Sequence, residues 1–270
     1  MLTPTPVITR APATDLYCEV RGSGPAVLFI PGATGDAGHF AKTAEILQDE
    51  FTVITYDRRG NSRSRQHADG DRVATIAAQA DDAAALISAC GLEQAVVFGT
   101  SGGAIITLDL IARHPEVVRE AIVHEPPLIG LLPHSDEPSP LDAVFAQAQT
   151  DPRGALERFL ALNSSATALE GVDAGTRERM FGNAVQLFSR EAMNFITYQP
   201  QADVLAASMV PIRLLRSVDG LAFAPMTNGW LETSLGIVGE TISGHHAPYL
   251  DTADTFAAEL RPLLRQAVGA

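Results

Sequence analysis

Residues 95–115 read AVVFGTSGGAIITLDLIARHP, and this stretch constrains the fold more than any other. A short apolar, β-branched run passes into Gly99-Thr100-Ser101-Gly102-Gly103 and then into apolar residues at helical spacing that stop at Pro115. A chain that goes from strand to helix within five residues must turn sharply. Glycines at 99 and 103 remove side chains where strand, turn and helix crowd together. Ser101 then stands at the apex, at the carboxyl edge of a sheet. The N–H of Gly102 lies at the positive end of the following helix.

The rest of the chain supplies that sheet. AVLFIPG from Ala26, FTVITYD from Phe51, EAIVHEP from Glu120 and IRLLRSV from Ile212 are also short apolar runs ending near Gly, Pro or Asp. Such runs read as strands buried on both faces. LGIVGETI, from Leu235, reads as the last strand. Between Arg72 and Cys90, apolar residues Val73, Ile76, Ala80, Ala83, Ile87 and Cys90 recur at helical spacing, with Gly91 as C-cap. Strand alternating with helix predicts an α/β fold, a mostly parallel central sheet with right-handed crossovers and helices on both faces. Ligands gather at the carboxyl ends of such strands.

The alternation breaks between residues 126 and 209. LDAVFAQA, GALERFLAL, RERMFGNAVQLF and EAMNFITY have helical spacing and no strand among them. The predicted organisation is a core of residues 1–125 and 210–270 with a helical lid, residues 126–209, over the sheet's carboxyl edge. Phe145, Phe159, Met180, Phe181, Leu187, Phe188, Met193 and Phe195 give this lid more apolar surface than a solvated insertion needs. The pocket beneath it is expected to be mostly apolar.

Composition narrows the partners. The net charge of −13 over 270 residues disfavours nucleic acid and anionic membrane surfaces. No apolar run is long enough to span a bilayer. The N-terminal residues lack the basic head and apolar run of a secretory signal, and Cys18 and Cys90 match no metal or redox spacing. A cytoplasmic protein with free thiols is expected, with a small molecule as its partner. Neither a phosphate loop, a dinucleotide fingerprint nor a His-Glu-x-x-His motif occurs, so no cofactor and no metal are called for.

A serine needs a base to become a nucleophile. His39, His67, His114, His124 and His134 fall at loops or element ends in the first half of the chain. His245 and His246, in SGHHAPYL, follow the last expected strand and would sit at the same sheet edge as Ser101. Asp219, in SVDG after the strand from Ile212, is the expected acid. Glu125, at the end of the preceding strand, is its rival.

These pieces together resemble the α/β-hydrolase fold superfamily: PGA at 31–33, YDRRGNSRS at 56–64, GTSGG at 99–103, SVDG at 217–220 and GHHAPYLDTADTFA at 244–257. The resemblance covers nearly the whole chain. It implies Ser101 as nucleophile, His246 as base, Asp219 as acid, and the N–H groups of Ala33 and Gly102 as an oxyanion hole. His246 rather than His245 is chosen because the family's histidine stands ten positions before a helix-anchoring phenylalanine, here Phe256. Three departures stand out: Pro31-Gly32 where His-Gly is usual, Ser62 where glycine is usual, and Arg216-Ser217 where a glycine commonly precedes the acid.

The implied activity is cleavage of a carboxylic ester or lactone, with carbon–carbon hydrolysis open on the same residues. Ser101 disfavours dehalogenase and epoxide hydrolase chemistry, which in this family resembles aspartate catalysis. The alternatives are a non-hydrolytic enzyme of the same fold (a hydroxynitrile lyase, cofactor-free dioxygenase or perhydrolase-type haloperoxidase) or a binding protein with a silent triad.

Overall fold

The computed structural model describes residues 5–11, 13–67, 74–133, 139–164 and 167–269. The strands are β1 (Thr5–Ala11), β2 (Thr14–Arg21), β3 (Ala26–Ile30), β4 (Thr52–Tyr56), β5 (Arg65–Gln66), β6 (Ala95–Thr100), β7 (Val118–His124), β8 (Ile212–Asp219) and β9 (Glu240–His245). Among the described residues they form one nine-stranded sheet ordered β1-β2-β4-β3-β6-β7-β8-β9, with β5 beside β2. From β4 through β9 every neighbouring pair is parallel. The N-terminal strands β1 and β2 add an antiparallel edge that the apolar runs did not announce, because β1 is mostly exposed.

The helices are α1 (Ala41–Leu47), α2 (Ile76–Ala89), α3 (Gly102–Arg113), α4 (Pro140–Ala148), α5 (Pro152–Asn163), α6 (Ala174–Gly182), α7 (Ala184–Gln186), α8 (Ala192–Thr197), α9 (Ala202–Ala207), α10 (Ala224–Leu235), α11 (Pro248–Asp251) and α12 (Ala253–Gly269). The period of two along the strands sorts the core into two layers. Val27, Phe29, Val53, Val96 and Phe98 pack with α1 and α12. Leu28, Ile30, Ile54 and Val97 pack with α2, α3 and α10.

Two boundaries differ from the sequence reading. Helix α2 begins at Ile76, where Thr75 caps it by accepting from the Ala78 N–H; Arg72 and Val73 lie outside the described residues. The last strand starts at Glu240, not Leu235, because α10 runs to Leu235 and Gly236 ends it in the left-handed conformation (φ 65°).

Among the described residues between β7 and β8 every regular element is helical. Helix α9 belongs to the core: its Leu205 packs in the layer of α3 and α10. A π-helical turn, Leu187–Glu191, joins α7 to α8. Cys18 is buried and Cys90 half-buried, and both are free thiols; the Cys18 thiol donates to the Val7 carbonyl at 3.5 Å. No helix of the described residues is long and apolar enough to cross a membrane.

Candidate active site

Ser101 follows β6 directly and precedes the first residue of α3, with φ 54° and ψ −126°. A non-glycine residue held there costs about 1–3 kcal/mol, so the surroundings must impose it. They do so by close packing. A Cβ on Gly99 would lie 2.1 Å from Thr107 Oγ1, and one on Gly103 2.1 Å from the Ile30 carbonyl oxygen. The Ser101 N–H donates to the His124 carbonyl at 2.9 Å, which ties the turn to β7.

Gly32 is needed for a reason other than a turn. A Cβ there would stand 2.8 Å from Ser101 Cβ, so glycine lets the loop after β3 close on the serine. The bend itself falls at Thr34 (φ 66°) and Gly35 (φ 49°). Ala33 and Gly102 both line the cavity that contains Ser101. The Gly102 N–H is in the first turn of α3, where backbone donors lack helical partners.

His246 is buried, and its Nδ1 pairs with Glu125 Oε2 at 2.6 Å. Asp219, the acid expected from sequence, is not at that position. It ends β8 exposed, with no side-chain partner among the described residues. Glu125 is fully buried, with φ 45°, and its carboxylate also accepts from the Ser217 N–H (2.9 Å) and the Leu221 N–H (3.4 Å). A Cβ on Gly220 would lie 1.7 Å from Glu125 Oε1, so the Asp-Gly pair at 219–220 leaves room for another residue's carboxylate. Burial pushes the Glu125 carboxyl up. The bond to His246, the nearby imidazoles and the Ser217 N–H outweigh it and hold the group below its ordinary value.

His246, ten positions before Phe256, is the one of the two adjacent histidines that pairs with Glu125. Phe256, buried in α12, packs edge-on against Phe98 (5.5 Å) and Tyr249 (5.9 Å). His245 turns the other way and pairs with Asp251 Oδ1 at 2.8 Å. The remaining described histidines do not hydrogen-bond Glu125; His39 pairs with Thr34 Oγ1 at 3.0 Å. His67 pairs with Asp15 and His114 with Asp81; His134 is outside the described residues. His124 was passed over in the sequence as an element end. It is wholly buried between Thr100 Oγ1 (2.9 Å) and Ser217 Oγ (3.0 Å), and its ring stacks on those of Phe98 and His246. Burial pushes its imidazole down to about 4, so it is neutral near pH 7.

Two chambers meet at Ser101. The larger, about 630 Å³ with its open mouth, is walled by Phe145, Phe159, Leu187, Phe188 and Phe195 of the helical segment and by Leu221 and Phe223 after β8. The smaller, about 400 Å³ on the same measure, contains His246, Thr34, His39 and Met180. Of the other lid residues singled out in the sequence, Phe181 is buried among lid helices and Met193 is exposed.

The helical segment docks on the core through polar groups. Ser62, which stands where glycine is usual, has φ 49° and donates its hydroxyl to Asp36 Oδ2 at 2.6 Å. Its N–H donates to Asn183 Oδ1 (2.7 Å), and Asn183 Nδ2 donates to the Thr34 carbonyl (2.6 Å). Arg179 adds a two-bond ion pair to Asp36. No group of three or more potential metal-ligating side chains occurs among the described residues.

The site is thus a parallel sheet with a strained serine elbow and a buried histidine–carboxylate pair at its carboxyl edge, the strand–turn–helix context of the α/β class. Comparison with known proteins makes this specific. Residues 25–196 match the alpha/beta hydrolase fold family, and the chain belongs to it. It is 36% identical over 191 residues to the uncharacterized hydrolase YraK of Bacillus subtilis (strain 168), covering 70% of this chain and 68% of the relative. Two solved structures share the fold at low identity. One is a thermophilic esterase from Thermogutta terrifontis (TM-score 0.78, 21% identity, 98% of this chain and 99% of that one). The other is the enol-lactonase from Burkholderia xenovorans LB400 (TM-score 0.72, 18% identity, 94% and 98%).

Proposed function

We propose that this chain is a serine hydrolase that cleaves a carboxylic ester or lactone of a medium-sized apolar acid, with Ser101 as nucleophile, His246 as base and Glu125 as the acid. The observation that carries the reading is the 2.6 Å contact between His246 Nδ1 and Glu125 Oε2, beside a serine held at φ 54°. An anionic carboxylate on Nδ1 fixes the proton there and leaves Nε2 as the basic nitrogen.

The steps follow from that tautomer. Ser101 Oγ attacks the substrate carbonyl carbon as Nε2 takes its proton. The carbonyl oxygen becomes an anion that the Ala33 and Gly102 N–H groups receive. Collapse breaks the bond to the leaving oxygen, which takes the proton from Nε2 and departs as an alcohol. Water then repeats the sequence on the acyl-serine, releasing the acid and restoring Ser101. The aromatic walls of the larger chamber favour an apolar acyl group over a sugar or phosphate.

The test combines labelling and turnover. A fluorophosphonate should modify Ser101, seen by mass spectrometry of the labelled peptide. Ser101→Ala should lower kcat/KM for p-nitrophenyl esters and lactones by about 10³-fold or more. Undiminished turnover in that variant rejects the reading. Activity that appears only with oxygen or peroxide moves the protein to the non-hydrolytic class, and labelling without turnover of any ester or lactone moves it to silent binding.

A further inference from the structure

We infer that Arg58 is a positioning residue for the oxyanion hole, and that Glu191 of the helical segment holds it in place. The inference rests on Ser101 and the Ala33 N–H acting as proposed above.

The Gly32 carbonyl and the Ala33 N–H belong to one peptide unit. Arg58 Nη2 donates to that carbonyl oxygen at 3.0 Å, and the Gly35 N–H donates to it at 3.2 Å. A donor on the oxygen of an amide draws electron density from its nitrogen and makes the N–H a stronger donor. It also fixes the plane of the peptide, and so the direction of the N–H. The guanidinium is wholly buried, where its charge is little screened. It therefore acts on the oxyanion through one peptide without touching substrate.

Glu191 fixes the guanidinium. Its Oε2 accepts from the same Nη2 at 2.8 Å, and its Oε1 accepts from Asn61 Nδ2 at 2.8 Å. Gln79 Oε1 accepts from Arg58 Nη1. Glu191 ends the π-helical turn that joins α7 to α8, and its side chain is as buried as that of Arg58. Four residues further along, Phe195 lies under the guanidinium (5.4 Å to the ring centroid) and against Gly102, whose Cβ would come within 2.9 Å of the ring. One short stretch of the helical segment thus braces both oxyanion donors: Ala33 through Arg58, and Gly102 by direct packing. Arg58 and Arg59 are neighbours in the YDRRGNSRS stretch, but Arg59 spends its guanidinium on Asp82, at 2.6 and 2.7 Å.

Truncating either residue alone would strand a buried charge and its hydrogen bonds, so the main test replaces the pair by apolar residues of similar volume, Arg58→Met with Glu191→Leu; Glu191→Gln beside it removes the counter-ion but keeps an acceptor for the guanidinium. The readout is the Ser101 hemiketal formed with an aryl trifluoromethyl ketone carrying 13C at the carbonyl. The pH titration of its 13C shift reports how well the oxyanion is held. The midpoint should rise by about one pH unit in the double variant and by less in Glu191→Gln. The acylation rate of a p-nitrophenyl ester should fall about tenfold while KM changes little. A hemiketal with an unchanged midpoint in the double variant overturns the inference, whatever its thermal stability. Should the double variant not fold, an unchanged midpoint in Glu191→Gln overturns it equally. Absence of any hemiketal in the unsubstituted protein instead rejects Ser101 as nucleophile.

Discussion

Strands β7 and β8 lie side by side in parallel register, His124 against Leu215, and each finishes close to a carboxylate. Their ends nevertheless do different work. At β7 the chain turns through a positive φ at Glu125 and drives its side chain inward to His246. At β8 it runs on in extended form, and Asp219 points away from the interior while its backbone pairs with His245 of β9. The end of β8 still serves the same carboxylate, through the Ser217 and Leu221 N–H groups and the empty space at Gly220. An acid site of this kind is made by two strands, one giving the side chain and the other the donors.

The largest expected effect breaks the comparison at β7. Glu125→Gln should lower kcat/KM by about 10³–10⁴-fold, since an amide no longer fixes the Nδ1 tautomer or stabilises the imidazolium. A loss below tenfold there, with a large loss in Asp219→Asn, would return the role to β8. Gly220→Ala is next. Its methyl would sit 1.7 Å from Glu125 Oε1, so the carboxylate must shift. A displacement near 1 Å should cost about 10- to 100-fold in kcat, with little change in KM. Unaltered kcat would mean that Glu125 tolerates movement and that its 2.6 Å contact is incidental.

The contrast between the two strand ends also shows how far sequence carries. The parallel sheet and the elbow were legible because burial on both faces leaves continuous apolar runs, and because Gly99 and Gly103 are dictated by backbone contact. His246 was legible through its spacing from Phe256, which α12 buries. The carboxylate that pairs with it was not, because Asp219-Gly220 reads equally as a turn and as an acid loop, and only side-chain direction shows that Glu125 rather than Asp219 reaches His246. Polar docking of the helical segment was hidden for a similar reason. Arg58 and Ser62 sit far in the chain from their partners Glu191 and Asn183, and nothing in local composition says that these residues are partners.

A smaller effect appears in stability against pH, and about half of it belongs to β7. His124 and His39 are buried, and burial pushes each imidazole down to about 4. Above about pH 6.5 both are neutral folded and unfolded, and they leave stability unaffected. As pH falls from there toward 4, the unfolded chain binds protons that the folded one refuses. Stability should therefore drop by about 1.4 kcal/mol per pH unit for each. Glu125, held below its ordinary value, contributes in the same direction only at lower pH, where the unfolded carboxyl takes up a proton that the folded one still resists. Urea unfolding between pH 7 and 4.5 measures the slope. His124→Asn should remove about half of it, and an unchanged slope would place the acid sensitivity elsewhere.

The smallest effects are expected at the two neighbours that sequence places beside the working residues. Asp219 is exposed, and its contribution to the sheet is made by its backbone, so Asp219→Asn keeps the pairing with His245 and should change kcat/KM by no more than about twofold. His245 makes two bonds, its Nε2 with Asp251 and its Nδ1 accepting the Ala247 N–H at 3.1 Å. Both lie within the turn that carries the chain from β9 into α11, so their loss loosens that turn rather than the chemistry. His245→Ala should cost about 1–2 kcal/mol of stability and leave most of kcat, whereas His246→Ala should abolish turnover. The opposite pattern would put the histidine register one residue earlier. It would also separate Glu125 from the base, because the carboxylate reaches residue 246 only from its position at φ 45° beyond β7.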